Sequence, residues 1–244
     1  MRKVGEFLVW VWRGDGTRTP WLRRIAAVLF ALLLPLPVLY LLIFRFVPVP
    51  FTPQMALEAV TFQPVRQSWR AYGDISPNLV RAVVGSEDQD FCNHNGFDWE
   101  DINAALKQHE RHPRKRLRGA STISQQVART LFLLPARSWV RKGVEAYLTV
   151  LIEAMWPKRR ILTAYLNLVD WGHGNFGAEA ASEDYFHVPA SMLSKAQAAR
   201  LATVLPDPDK WRAARPGPYV AARTEVVMQR AWEVERDGLD WCLK

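Results

Sequence analysis

Hydrophobic and polar positions divide the 244-residue chain into two unlike stretches. From Ile25 to Phe44 it reads IAAVLFALLLPLPVLYLLIF, twenty residues without a charge. At 1.5 Å per residue such a run spans about 30 Å, the depth of a bilayer hydrocarbon core, and it predicts one membrane-crossing helix. Arg23 and Arg24 stop it on one side and Arg45 on the other, while Trp21 and Tyr40 suit positions near the interface. Pro35 and Pro37 predict a kink, which lipid tolerates when the freed backbone groups find partners. Beyond this run, apolar residues recur at helical spacing and seldom alternate. Ile123, Val127, Leu131 and Leu134 form one series, Val144, Leu148, Leu151 and Met155 a second, and Ile161, Tyr165 and Leu168 a third. Thr122 and Gln125 have the spacing of a capping box ahead of the first. A mainly α fold is expected. Lys107 to Arg118, strongly basic and containing Pro113, is expected to include an exposed loop, and Gly172 to Gly177 a glycine-rich turn.

The net charge of +8 is unevenly placed: residues 1–24 hold six basic and two acidic groups. That excess ahead of the apolar run predicts a cytoplasmic tail, 1–24, an anchor, 25–45, and everything after it across the membrane. VPVPFTP after Phe46 offers no small-residue cleavage site, so a removable signal peptide is disfavoured. A nucleic-acid partner is also disfavoured, because such a protein would carry its basic excess on the folded domain. Pro48, Pro50 and Pro53 are expected to stiffen a spacer over 46–60, leaving 61–244 as the folded domain. Two cysteines, Cys92 and Cys242, are too few for a disulfide scaffold. They lie on the oxidising side, spacing does not say whether they meet, and Cys92 is expected as a packed thiol.

Three polar clusters could carry chemistry. In residues 86–102, Glu87, Asp88 and Asp90 crowd beside Phe91 and Phe97, and a carboxylate among like charges and apolar neighbours tends towards a raised pKa that suits a general base. An acidic helix end explains the same residues. In residues 119–132, Ser121, Gln125, Gln126, Arg129 and Thr130 would line a polar strip, with Arg137 further on, and an ordinary solvated helix face explains them too. In residues 141–145, Arg141 and Lys142 precede Glu145 by four and three positions. They are either surface ion pairs or cations poised for a diphosphate. His94 reads as a structural hydrogen-bonder, and no histidine or cysteine spacing predicts a metal site.

Taken in order these clusters resemble the motifs of the peptidoglycan glycosyltransferases, glycosyltransferase family 51. The first is Glu87-Asp88-x-x-Phe91-x-x-His94-x-Gly96-Phe97-Asp98. The second is Gly119-x-Ser121-Thr122-Ile123-x-Gln125-Gln126, and the third Arg141-Lys142-x-x-Glu145. Ile161-Leu162-x-x-Tyr165-Leu166-Asn167 followed by Gly172, Gly174 and Gly177 makes a fourth. The resemblance covers about residues 75–206. It implies a lysozyme-like helical catalytic lobe with a small membrane-proximal jaw, and the monofunctional biosynthetic form, since no Ser-x-x-Lys transpeptidase nucleophile occurs. The implied reaction polymerises lipid II into glycan strands and is inhibited by moenomycin. Glu87 would act as base on the GlcNAc 4-hydroxyl and Glu145 as the second carboxylate. Asp88, Ser121, Gln125, Gln126, Arg129, Arg137, Arg141 and Lys142 would bind substrate. A divalent cation, magnesium or manganese, is compatible with the diphosphate side without being required. The implied setting is the bacterial inner membrane, with a periplasmic catalytic domain and cell-division or wall-synthesis proteins as compatible partners. Arg129-Thr130 stands where the family usually has Lys-Asn, and Arg160 where it often has Glu. A lytic muramidase and a non-catalytic membrane scaffold are the rival readings; the cation-rich third motif disfavours the first and intact Glu87 and Glu145 the second.

Overall fold

The computed structural model describes residues 20–112, 120–135 and 138–244. It falls into two units, Met1–Val47 and Pro48–Lys244. In the first, helices α1 (Pro20–Leu33) and α2 (Pro35–Phe44) follow one another directly. Arg24–Phe44 is long and apolar enough to cross a membrane. Pro35 lacks an N–H and interrupts the ladder at Leu34. Bonds from Leu34 N–H to Phe30 O at 3.0 Å and from Val38 N–H to Leu34 O at 3.1 Å carry it past the break.

The second unit is mainly α-helical, as the spacing predicts. Its helices are α3 (Pro53–Val60), α4 (Pro77–Glu87), α5 (Trp99–Arg111), α6 (Ile123–Phe132), α7 (Trp139–Met155), α8 (Lys158–Leu168), α9 (Ala178–Phe186), α10 (Lys195–Val204) and α11 (Pro218–Arg236). Two short parallel strands, β1 (Arg66–Gln67) and β2 (Asn175–Phe176), pair Arg66 with Asn175 and Gln67 with Phe176.

Three sequence expectations change. The spacer does not stay a linker: Val49, Thr52 and Met55 are buried, and Thr52 caps α3 by accepting the Met55 N–H at 3.2 Å. Pro53 sits in the first turn of α3, where its missing N–H costs nothing, so the proline that reads as a stiffener starts a helix instead. The segment expected to include a loop is narrowed: Lys107 to Arg111 extend α5, and His112 ends the helix. The remainder of that basic segment, with Arg114, Lys115, Arg116 and Arg118, lies outside the described residues. Cys92 is no free thiol. It forms a disulfide with Cys242, 150 residues away in sequence, so the last turn of the chain is joined to the segment just after Glu87.

The site rests on a core built by α4, α10 and α11. Leu79, Val83 and Val84 of α4 and Val227 and Val234 of α11 are fully buried. Gly85 allows the close crossing: a Cβ there would stand 3.0 Å from the Arg230 carbonyl carbon. Glu87 is thereby held two residues beyond the tightest contact of α4 with α11.

Candidate functional site

Helix α4 ends at Glu87, whose carboxylate opens on a cleft of about 750 Å³. Glu87, Ser121, Gln126, Asp98, Arg223 and Arg230 are among the groups on its walls. Burial is the largest influence on the Glu87 carboxyl and pushes its pKa above the ordinary carboxylate value. The neighbouring Asp88 charge acts the same way, while the Gln126 hydrogen bond and the Arg129 and Arg223 charges pull against it. Gln126 Nε2 donates to Glu87 Oε2 at 2.9 Å, and the Tyr165 hydroxyl donates to Gln126 Oε1 at 3.2 Å.

The motifs far apart in sequence are stitched together by named bonds. Asp88 Oδ2 accepts the Ile123 N–H at 2.8 Å, which anchors the first turn of α6 beside the end of α4. Its other oxygen meets His94 Nε2 at 2.9 Å. Because His94 Nδ1 accepts the Gly96 N–H at 3.1 Å, the ring proton sits on Nε2 and points at Asp88. Thr122 Oγ1 donates to Gly96 O at 2.7 Å and accepts from the Gln125 N–H, completing the predicted capping box. Gly96 has φ +90°, and a Cβ there would lie 2.7 Å from Thr149 Cγ2, so glycine is required for α7 to pack against this loop.

Helix α7 brings the third motif to the same place. Its buried stripe is Glu145, Leu148, Thr149, Ile152 and then Trp156, one step round from the series Val144, Leu148, Leu151, Met155. Glu145 is therefore buried within an otherwise core-facing stripe. Arg141 Nη1 reaches Glu145 Oε2 at 2.7 Å and Lys142 Nζ reaches Oε1 at 2.5 Å. Lys142 also donates to Ser121 Oγ at 3.3 Å, linking the ion-pair cluster to the wall of the Glu87 cleft. Arg141 Nε is buried with no hydrogen-bond partner among the described residues.

The structure thus gathers Glu87, Ser121, Gln126, Arg141, Lys142 and Glu145 into one linked set. Arg129 is exposed on the last turn of α6, close enough to act on the Glu87 charge. Arg137 lies outside the described residues. Two expected ligand groups are otherwise occupied. Gln125 is buried and its Oε1 closes the cap by accepting the Thr122 N–H at 3.1 Å. The buried Asp88 has both carboxylate oxygens engaged within the protein, so it positions α6 and His94 instead of reaching outwards. Arg160 packs its guanidinium over Trp69 and Trp156, at 4.9 and 5.1 Å from the ring centroids. Arg223 and Arg230 were not singled out in the sequence; their seven-residue separation on α11 places both on one face, yet only the crossing at Gly85 turns that face to the cleft. As to a metal, no group of three His, Cys, Asp or Glu among the described residues is arranged to hold one. Both oxygens of Glu145 already have cationic partners.

Comparison with known proteins agrees with this geometry. A family model described as Transglycosylase matches residues 54–231. A biosynthetic peptidoglycan transglycosylase of Caulobacter vibrioides is 46% identical over 222 residues, covering 91% of this chain and 96% of the relative. One from Rhodospirillum centenum is 48% identical over 223 residues, covering 91% and 95%. One from Pseudomonas aeruginosa is 46% identical over 201 residues, covering 80% and 86%. With the first two motifs on one cleft, the third bonded to its wall through Lys142 and the family model spanning most of the chain, this protein belongs to the transglycosylase family.

Proposed function

We propose that the chain is a peptidoglycan glycosyltransferase that polymerises lipid II. The observation that carries this reading is a half-buried carboxylate, Glu87, on a cleft whose wall at Ser121 is bonded to Lys142 of the cation cluster. An alcohol is a weak nucleophile until a placed base takes its proton, a gain of about 10²–10⁴-fold. In the proposed step the GlcNAc 4-hydroxyl gives its proton to Glu87, its oxygen bonds to C1 of the donor MurNAc from the opposite face, and the C1–O bond to undecaprenyl diphosphate breaks with inversion. The departing diphosphate takes the electron pair and needs cations more than a proton. Arg141 and Lys142 serve there, held by Glu145. Gln126 and Ser121 line the cleft between the two ends of the reaction.

The setting we propose is the bacterial inner membrane, crossed once by Arg24–Phe44, with the basic tail in the cytoplasm and the second unit in the periplasm. Phe62 at 95% exposure and Trp139 at 91% support contact of that unit with lipid, as do exposed Val60 and Val140. Division or wall-synthesis proteins fit as partners at that site. A raised Glu87 pKa would also serve a general acid, so hydrolysis of finished glycan is the rival. The experiment incubates the full-length protein in detergent with labelled lipid II and, separately, with purified sacculi. Glycan ladders from lipid II, suppressed by moenomycin, are expected; release of soluble fragments from sacculi without ladders would overturn the reading.

A further inference from the structure

The mechanism above uses Glu87 and leaves its nearest neutral neighbours without a function. Gln126 lies between Glu87 and Tyr165, and a primary amide has two ends of nearly equal size but opposite hydrogen-bonding character. Which end faces the base is a question of what holds it. In the orientation present, Nε2 faces Glu87 Oε2 at 2.9 Å and Oε1 faces the Tyr165 hydroxyl at 3.2 Å.

Consider the amide turned over. Its carbonyl oxygen would confront the Glu87 carboxylate, two acceptors with no proton between them, and the Tyr165 O–H would lose its acceptor in a buried place. The turned amide is comfortable only if Glu87 is protonated, because the carboxyl O–H could then donate to Oε1. The Tyr165 hydroxyl, together with the longer bond from Gln126 Nε2 to Ser121 O at 3.5 Å, therefore selects the amide orientation that favours the ionised base. It is well suited to this. Ile161 to Leu168 are all buried, so the phenol is confined by the packing of α8. Burial also pushes its pKa well above the ordinary tyrosine value, keeping it a donor across the working range. Tyr165 is not on the cleft wall, so its influence passes through Gln126.

We propose that Tyr165 is a positioning residue for glycosyl transfer: its hydroxyl fixes the Gln126 amide with the N–H end towards Glu87. The proposal rests on the transferase reading. The charged groups that also act on Glu87 are Asp88 beside it, Arg129 from α6 and Arg223 from α11, and none of these is altered by the test.

The test is the pH dependence of kcat/KM for lipid II polymerisation by full-length wild type, Tyr165→Phe, Gln126→Met and the double variant. For Tyr165→Phe the acid limb should move up by about one pH unit, a roughly tenfold loss on the acid side that closes towards wild type at high pH. Gln126→Met should move the limb in the same direction. The double variant should match Gln126→Met, because the hydroxyl then has no amide to hold. A Tyr165→Phe rate lowered evenly at every pH, or a further shift in the double variant, would overturn the proposal. Should Tyr165→Phe fail to fold, an unmoved limb in Gln126→Met overturns it as well. A wild-type chain that makes no glycan defeats the transferase reading, whereas an active wild type with unmoved limbs defeats this inference alone.

Discussion

The end of α4 and the first turns of α7 each hold a glutamate, half-buried at Glu87 and buried at Glu145, and their surroundings differ in kind. Glu87 has a neutral amide as its hydrogen-bond donor, with Arg129 and Arg223 acting only at longer range. Glu145 has a guanidinium on one oxygen and an ammonium on the other. A carboxylate without a direct cation, whose pKa burial raises, suits a proton acceptor, whereas one with a cation on each oxygen is placed to hold those cations. The same side chain thus becomes a base in one region and a holder of cations in the other. Loss of a proton acceptor and loss of a phosphate clamp should consequently look different in experiment.

The largest effect should come from Glu87→Gln. Turnover falls by about 10²–10⁴-fold, because the base is gone while the amide keeps the shape. The same change separates activity from stability. A carboxyl with a raised native pKa favours the fold below its unfolded value, and that benefit is lost as pH rises through the native pKa. Glu87→Gln should therefore raise the melting temperature at neutral pH and leave it nearly unchanged in acid, as scanning calorimetry at two pH values would show. A lowered melting temperature at neutral pH would mean that burial does not disfavour the Glu87 charge as described.

Next in size is the covalent tie that only the Glu87 region possesses. Replacing Cys92 and Cys242 by Ser removes a link closing a 150-residue loop, for which about 2–4 kcal/mol of stability is typical. Chemical denaturation of the oxidised protein against the double variant measures it. Glu145→Gln should follow at about 1–3 kcal/mol. That is below the usual cost of breaking a buried pair, because Lys142 is partly exposed and keeps its water. This variant should also weaken substrate binding, visible as a raised KM, since Arg141 and Lys142 lose the group that holds them. The smallest effect is reserved for Arg223→Gln, which withdraws one longer-range positive charge from Glu87. The acid limb of the rate profile should move upwards by a few tenths of a pH unit, with the plateau kept.

Much of this contrast could be read from residue order. Thr122 and Gln125 announced the start of α6, and the Arg141-Lys142-x-x-Glu145 spacing placed both cations within reach of one carboxylate. Periodicity was less informative where a polar residue belonged to a buried stripe. Counting only apolar positions on α7 gave Val144 and Met155, whereas the packed face passes through Glu145 and Thr149. Asp88 and Gln125 looked like ligands because their side chains suit sugars and phosphates. The Ile123 N–H that occupies Asp88 comes from 35 residues away and is a matter of tertiary geometry, whereas the Thr122 N–H that occupies Gln125 belongs to the local capping box. The disulfide and the approach of Arg223 to the cleft share one cause. Both depend on how α11 and the residues after it fold back against α4, a contact between segments more than a hundred residues apart that no local pattern encodes.

The central claim is that the Glu87 carboxylate takes the acceptor proton, and glycan formation from lipid II by Glu87→Gln, compared with wild type at equal folded concentration, tests it most directly. A loss of at least a hundredfold, with binding of the diphosphate-linked substrate retained, is the predicted result. Glycan ladders from the variant within tenfold of wild type would contradict it.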